Sequence, residues 1–484
     1  MEIKLENVGI VREASVVCDG LTVITGKNNS GKTTISRALY AIVQANNDLG
    51  QQFEKSKRDY LGNCIRQICH LNLFRILSLY RENSDKRRIS VQALIDHNLS
   101  VIQKLIAINS YFYVLRKLEL DNLIDLINEI RVFFLNTDYE SFKAEFPENT
   151  RNPLDYDEHL YNDLRNQVVE TCDEAMKWIS AEDMELKFLK LRIKQSLMNE
   201  FHNQVKPVAT PDVRTVIEIY DGDTLIEGIT ITDTIHFSEN GSYDLPLDRG
   251  IFIDNPFVID ALSESAEMYR IERYASSNDF ESSIQISSHN KSLSVMLSTP
   301  LNQNFFDRMA YDYKTTDAYS ELNKVLPGEF KKNYEDDGFY YIDKANLRIE
   351  NMATGSKQFS ILKLLLQNGY LTNKTIMILD EPESHLHPEW INKYSEIIVM
   401  LVKEIGVRVV LTTHSSNLML ALDVFSKKHG IKNITHHYLA EEGNDGTVMR
   451  NIDDDLAIAY SHLSMPFLEM NLENEYLNQE NANE

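Results

Sequence analysis

The sequence predicts an α/β fold whose two halves lie far apart in the chain, separated by a large helical insertion. Three observations predict it. Residues 1–48 read as short strands, a glycine-rich turn and an amphipathic helix. From Asn351 the pattern runs helix, strand, helix, strand, the alternation that a parallel sheet with crossover helices requires. Between them, residues 51 to about 205 are rich in Leu and Ile, low in glycine and helical in period.

Taken in order, the first half (1–48) opens with "EIKLENV" and "REASVV", a turn at Cys18-Asp19-Gly20, and the apolar strand "LTVIT". A helix from about Thr33 then places Ile35, Ala38, Leu39 and Ile42 on one face. The insertion, 49–207, shows no sustained heptad seam with charged flanks, so it reads as a compact helical body rather than a long coiled coil. Strand character returns over 208–262. There the Asp221-Gly222 pair signals a hairpin, and "GIFIDNPFVIDAL" reads as a buried strand running into a short helix. Residues 263–320 read as a linker and helical segment, with the Ser-rich stretch from Ser263 to about Pro300 as a mobile connection. The second half, 321–468, begins with the hairpin "GFYYIDKANLRIE". The tail, 469–484, is acidic and Asn-rich, a composition expected to be disordered unless bound.

Composition narrows the classes. The chain has 484 residues, with 73 acidic against 49 basic side chains and a net charge of −24. A surface this acidic repels nucleic acid as a whole, so any DNA or RNA contact must use a local basic patch; otherwise the acidic surface meets a protein. No apolar run approaches the roughly 18 residues of a membrane helix, and the start of the chain lacks a signal peptide's apolar core. Four cysteines (Cys18, Cys64, Cys69 and Cys172) in so long a chain indicate a reducing compartment, and a cytoplasmic location is expected.

The chemistry sits in two places. Gly26-Lys27-Asn28-Asn29-Ser30-Gly31-Lys32-Thr33 fits G-x-x-x-x-G-K-[ST], after an apolar strand and at the opening of a helix. Glycines let backbone N–H groups approach phosphates closely, and the helix N-terminus adds positive potential. The expected nucleotide-holding set is therefore Gly26, Asn28, Asn29, Ser30, Gly31, Lys32, Thr33 and Thr34. Lys32 is expected to reach the β- and γ-phosphates, and the Thr33 hydroxyl to ligate Mg²⁺. Far downstream, "TIMILDEPE" puts an apolar strand directly before Asp380 and Glu381. A carboxylate there can hold Mg²⁺ through water, and its neighbour can orient or deprotonate the attacking water. The next strand, "VRVVLTTHS", ends at His414, placed to sense a γ-phosphate. Glu381, His414 and Lys32 are the expected catalytic residues, Thr33 and Asp380 the expected metal ligands, and ATP with Mg²⁺ the expected ligands.

Together, "DEPESHLHPEW", "LTTHSSN" and "MATGSKQFSILKLLL" resemble ABC-type ATPase heads of the RecF/SMC kind. They are most similar to the ATPases of the overcoming-lysogenization-defect family and related anti-phage systems. The resemblance covers roughly residues 1–45 and 345–440. It implies an ABC-like head, with a parallel core and an antiparallel β subdomain, that dimerises around ATP or forms a higher homo-oligomer. In such heads a signature segment of one subunit closes over ATP on the other; here that segment is Ala353–Gln358, with Thr354, Gly355 and Ser356 as contacts. The sequence departs from the pattern, since Ala353 aligns with the usual serine and Thr354 with a usual glycine. His387 stands where many relatives carry aspartate.

Overcoming-lysogenization-defect nucleases carry a Toprim domain after the head, and the stretch after His414 is too short for one. The resemblance therefore implies the ATPase subunit of a bacterial defence system of the Septu or PARIS type. It would sense infection and control a separately encoded nuclease or toxin, with no nuclease activity of its own. The alternative is a RecF/SMC-like DNA repair or chromosome-maintenance ATPase that binds DNA directly. A third reading is a scaffold with negligible turnover.

Other clusters have plainer readings. His385 and His387, just before Pro388, read as an interface loop in preference to a metal pair. Cys64, Cys69 and His70 lack zinc spacing and read as buried thiols in helical sequence. Asp453–Asp455 read as a solvated turn. The basic residues between Lys55 and Arg88, which include Arg66, Arg75 and Arg81, read either as a nucleic-acid contact or as a solvated helical face.

Overall fold

The computed structural model of the chain describes residues 1–71, 99–110, 115, 117–145, 158–208, 210, 212–262, 288–301, 314, 316–333, 338–344 and 346–481. They form two compact units. One comprises Met1–Asn47 with the described parts of Ile193–Arg273 and Ile286–Glu484; the other is the described part of Asp48–Arg192.

The strands are β1 (Glu2–Val8), β2 (Val11–Val17), β3 (Leu21–Thr25), β4 (Thr215–Asp221), β5 (Thr224–Ile231), β6 (Ile235–Phe237) and β7 (Arg249–Ile253). They continue with β8 (Glu329–Lys332), β9 (Phe339–Ile342), β10 (Asn346–Arg348), β11 (Thr375–Asp380), β12 (Arg408–Thr413), β13 (Thr435–Gly443) and β14 (Gly446–Asn451). The helices before β4 are α1 (Lys32–Asn46), α2 (Leu49–His70), α3 (Val101–Ser110), α4 (Leu120–Asn136), α5 (Tyr139–Ala144), α6 (Glu158–Ser180) and α7 (Met184–Glu200). After β7 come α8 (His289–Ser298), α9 (Asp317–Val325), α10 (Thr354–Gln367), α11 (Pro388–Ile405), α12 (Ser416–His429) and α13 (Leu456–Asn481).

The first unit is built on a mixed sheet of order β6-β5-β4-β1-β2-β14-β13-β3-β12-β11-β7. Five neighbouring strands, from β13 to β7, run parallel. β3 and β7 are buried at every position and β11 at all but its last, the pattern expected of parallel strands covered on both faces. The other wing, β6 to β2, is antiparallel, and its β4–β5 hairpin turns at the predicted Asp221-Gly222. β8, β9 and β10 form a separate small antiparallel sheet.

Helix α11 shows how the core is made. Pro388 at its start has no N–H to lose, and Gly406 ends it in the left-handed conformation at φ 77°. Between them Ile391, Tyr394, Ile397, Ile398, Leu401 and Val402 are buried. Phe359 of α10 meets both Trp390 and Tyr394 edge to face.

Two segments differ from the sequence reading. Of the Ser-rich connection, Ser263–Ser287 lies outside the described residues, but His289–Ser298 is helix α8. Leu293, Met296 and Leu297 recur at helical spacing on its buried face, a signal that the serines obscure. The acidic tail from Glu469 continues α13 as far as Asn481. Its Leu, Glu and Gln residues are sound helix formers, and no glycine interrupts them.

α8 is tied down by a partly buried charge cluster. His289 Nδ1 lies 2.7 Å from Glu200 Oε2 and its Nε2 lies 3.0 Å from Asp254 Oδ2. Burial disfavours the imidazolium, but the hydrogen bonds and charges of Asp254 and Glu200 outweigh it and hold the His289 pKa at about 9. A folded-state pKa above the unfolded value stabilises fully below the unfolded pKa, near 6.5, and that contribution is lost as pH rises through about 9. Thermal stability is therefore expected to decline between these values by an amount on the order of 3 kcal/mol, and His289→Gln to flatten the decline. Melting curves of both proteins across that window check it; parallel declines would remove His289 as the cause.

In the second unit, α2, α4 and α6 enclose Leu61, Ile65, Ile68, Leu123, Ile127, Ile130, Phe134, Tyr161 and Val168. Arg165 donates to the carbonyls of Phe134 and Leu135, both at 2.8 Å, and so satisfies the open end of α4. Cys64, Cys69 and Cys172 are buried free thiols whose pKa values burial pushes up to about 11, 12 and 12. No helix among the described residues is long and apolar enough to cross a membrane.

Candidate nucleotide site

The glycine-rich turn leaves β3 and enters α1 through Gly31, whose φ of 81° suits a residue without Cβ. A Cβ there would also stand 2.7 Å from the Val11 side chain. No side chain caps α1 and its first turn holds no acidic residue, so its N-terminal N–H groups keep their attraction for an anion. Ser30 Oγ is buried without a hydrogen-bond partner. Lys32 is buried, and its Nζ donates to the carbonyls of Gly26 (3.0 Å) and Lys27 (2.6 Å). The ammonium thus stands within the curl of the loop. Burial lowers its pKa, against the pull of Glu381 and Asp380.

The downstream groups arrive from two neighbouring strands, the carboxylates from the end of β11 and His414 from the end of β12. β12 lies between β3 and β11, so the ends of all three converge. Register pairs Asp380 with Thr412. Thr33 Oγ1 donates to Asp380 at 2.9 and 3.1 Å, and Thr412 Oγ1 also donates to it. Burial raises the Asp380 pKa despite these bonds. Glu381 sits in the left-handed region at φ 48°, with its N–H held by the Thr412 carbonyl at 3.1 Å. Its Oε1 is 3.8 Å from Lys32 Nζ and 3.3 Å from His414 Nδ1. Lys32, Thr33, Asp380, Glu381 and His414 are therefore gathered at one place.

Sequence reasoning missed three members of this cluster. Thr412 bonds Asp380. Glu383 accepts from Thr413 Oγ1 at 2.5 Å and from the His414 N–H at 3.2 Å. Only the apposition of β11 and β12 reveals these pairs. The available signals were the doubled threonine before His414 and the second glutamate of "DEPE".

Ala353, Thr354, Gly355 and Ser356 lie at the start of α10, packed on the turn that follows Glu381. Gln358 Nε2 donates to the Pro382 carbonyl at 3.3 Å. A Cβ at Gly355 would stand 3.0 Å from the Trp390 ring, so the close approach needs glycine. Ala353 is the N-cap without a side-chain hydrogen bond, while Thr354 and Ser356 are half-buried. His385 packs edge-on against Phe257, and His387 caps α11 by accepting from the Glu389 N–H. Asp453 accepts from the His437 N–H at 2.6 Å. In the basic cluster, Lys57 lies over the Phe53 ring and Arg58 pairs with Glu119 at 3.5 Å. Arg75, Arg81 and Lys86–Arg88 lie outside the described residues.

Residues 235–421 match the family model described as "AAA domain, putative AbiEii toxin, Type IV TA system". That span holds Asp380, Glu381 and His414 but not the glycine-rich loop. The fold is α/β, a large mixed sheet with many helices. Similar solved structures include an SMC head bound to the C-winged helix domain of ScpA, 10% identical, covering 94% of this chain and 98% of that one at a TM-score of 0.34. An SMC head with a coiled coil and joint from Pyrococcus yayanosii is 11% identical, covering 96% and 99% at a TM-score of 0.33. The SMC head of Thermotoga maritima is 12% identical, covering 54% and 86% at a TM-score of 0.28. Likeness at this level carries no function across. No curated protein matches the sequence.

Proposed function

We propose that the chain binds ATP with Mg²⁺ and hydrolyses it to ADP and phosphate in a dimer of heads. The observation that carries this reading is the convergence of Lys32 and Thr33 with Asp380, Glu381 and His414. Backbone N–H groups from Gly26 to Thr34, the residues Asn28, Asn29 and Ser30 among them, cradle the phosphates, and Lys32 turns its ammonium from the loop carbonyls to the β- and γ-phosphates. The Thr33 hydroxyl and Asp380 carboxylate are hard oxygen donors 2.9 Å apart in a site with an excess of carboxylates, a set that fits Mg²⁺. Bound there, the ion would neutralise charge on the β- and γ-phosphate oxygens. Glu381 orients the attacking water and accepts its proton, and His414, beside it, donates toward the γ-phosphate oxygens. Phosphate release by the purified protein tests the reading; ATP binding without turnover would leave only a nucleotide-binding scaffold.

In this reading Thr354, Gly355 and Ser356 of one head complete the site of the other; the start of α10 has no side-chain cap, and Ala353 there is exposed with Thr354 and Ser356 half-buried. Lys32→Ala protein mixed with Ser356→Arg protein is accordingly expected to recover part of the activity that each lacks alone. Each mixed dimer keeps one site with an intact loop and an intact opposing segment. Phosphate release from the mixture, with subunit exchange shown by differential tagging, checks this; no recovery despite exchange would exclude assembly in trans.

In the cell, this reading places the chain in the cytoplasm as the ATPase subunit of an anti-phage system controlling a separate nuclease or toxin. The toxin-system description of the matched model and the net charge of −24, which disfavours broad nucleic-acid binding, support it. Nucleotide can regulate a partner only if that partner binds the two head states unequally. Co-purification with products of neighbouring genes, with and without ATP, tests this. Strong salt-dependent DNA binding by the isolated chain would instead favour a RecF/SMC-like clamp.

A further inference from the structure

We propose that Glu383 is a positioning residue that holds His414 against Glu381, an inference that rests on the hydrolytic reading above. The turn after Glu381 is a short 3₁₀ helix, Pro382–His385, which rolls Glu383 inward until it is only 7% exposed. Its Oε1 takes the Thr413 hydroxyl at 2.5 Å and the His414 N–H at 3.2 Å, and lies 3.7 Å from His414 Nδ1. One carboxylate oxygen thereby fixes the backbone of His414 and faces its ring. The ring needs fixing: its side chain is 42% exposed, and among the described residues its other ion-pair partner is Glu381 at 3.3 Å.

A purely structural tie would not require this residue. Glu383 Oε2 is buried without a hydrogen-bond partner, and burial raises the Glu383 pKa, so the carboxylate costs stability that a neutral side chain would spare. The turn is already secured by Ser384 Oγ donating to the Glu381 carbonyl at 2.8 Å and by Glu381 N–H on Thr412. What Glu383 adds is a link from the base's turn to the strand end that carries the histidine.

The test is a double-mutant cycle on the full chain, with Glu383→Met and Glu383→Gln each made in the wild-type and His414→Ala backgrounds. Glu383→Met is expected to lower kcat about tenfold or more while KM for MgATP moves less than about twofold. Glu383→Gln, which keeps an acceptor oxygen, should lose only about threefold, and in the His414→Ala background Glu383→Met should cost less than about twofold further. The ¹⁵N imidazole resonance of His414, assigned by its loss in His414→Ala, should move in both Glu383 variants without nucleotide. An equal kcat loss in both backgrounds, a change confined to KM, or an unmoved His414 resonance would each overturn the proposal. If Glu383→Met does not fold, Glu383→Gln in the same cycle and spectrum decides. If the wild-type protein does not hydrolyse ATP, the hydrolytic reading fails alone, and the His414 resonance decides the positioning.

Discussion

Exchanging Glu381 for glutamine is expected to abolish turnover while leaving ATP bound. Glutamine preserves the size of the side chain and can hold a water, but it cannot accept the proton, so kcat should fall by about 10²–10⁴-fold, the usual worth of a positioned general base. Binding should survive because Glu381 lies outside the loop proposed to hold the phosphates; its side chain lies 3.8 Å from Lys32 and 3.3 Å from His414. Removing its charge also frees Lys32 from one competing anion, so affinity for MgATP should hold or rise. Single-turnover phosphate release together with MgATP titration decides it. A variant that hydrolyses at the wild-type rate would take the role of base away from Glu381.

Lys32→Ala should fail one step earlier, at binding. Its ammonium is the buried cation of the loop, and hydrogen bonds from a charged group are worth about 1.5–3 kcal/mol each, or roughly 10- to 150-fold in affinity. The truncation also strips donors from the Gly26 and Lys27 carbonyls and leaves Asp380, Glu381 and Glu383 without their nearest positive charge. ATP affinity is therefore expected to drop about a hundredfold, with turnover falling in step. Calorimetric titration with MgATP and with MgADP checks it. Undiminished affinity for both would show that the backbone cradle suffices without the lysine.

The loop from Gly26 to Thr33 was legible because its pattern is local: the motif, its apolar strand and its helix are contiguous, and Gly31 occupies the left-handed conformation that the turn requires. Asp380 and Glu381 were legible because a carboxylate pair ending an apolar strand is itself a short pattern. Glu383, Thr412 and Thr413 were not, because their roles exist only through the pairing of Asp380 with Thr412. The His289 cluster escaped for the same reason, its partners lying 35 and 89 positions away. Composition misled in two places, where serines hid the apolar face of α8 and acidity hid the helix-forming residues of α13.

The order of the central strands bears on how the protein is made. β3 leaves the ribosome roughly 380 residues ahead of both its sheet neighbours, since it ends at Thr25 while β12 begins at Arg408 and β13 at Thr435. At a synthesis rate of about 5–20 residues per second, that strand and the loop it carries wait on the order of tens of seconds with both edges unpaired. Unpaired apolar edges invite pairing with other nascent chains. The glycine-rich loop is thus synthesised long before it finds its setting, so newly made protein depends on holding β3 apart from other chains until β12 and β13 arrive.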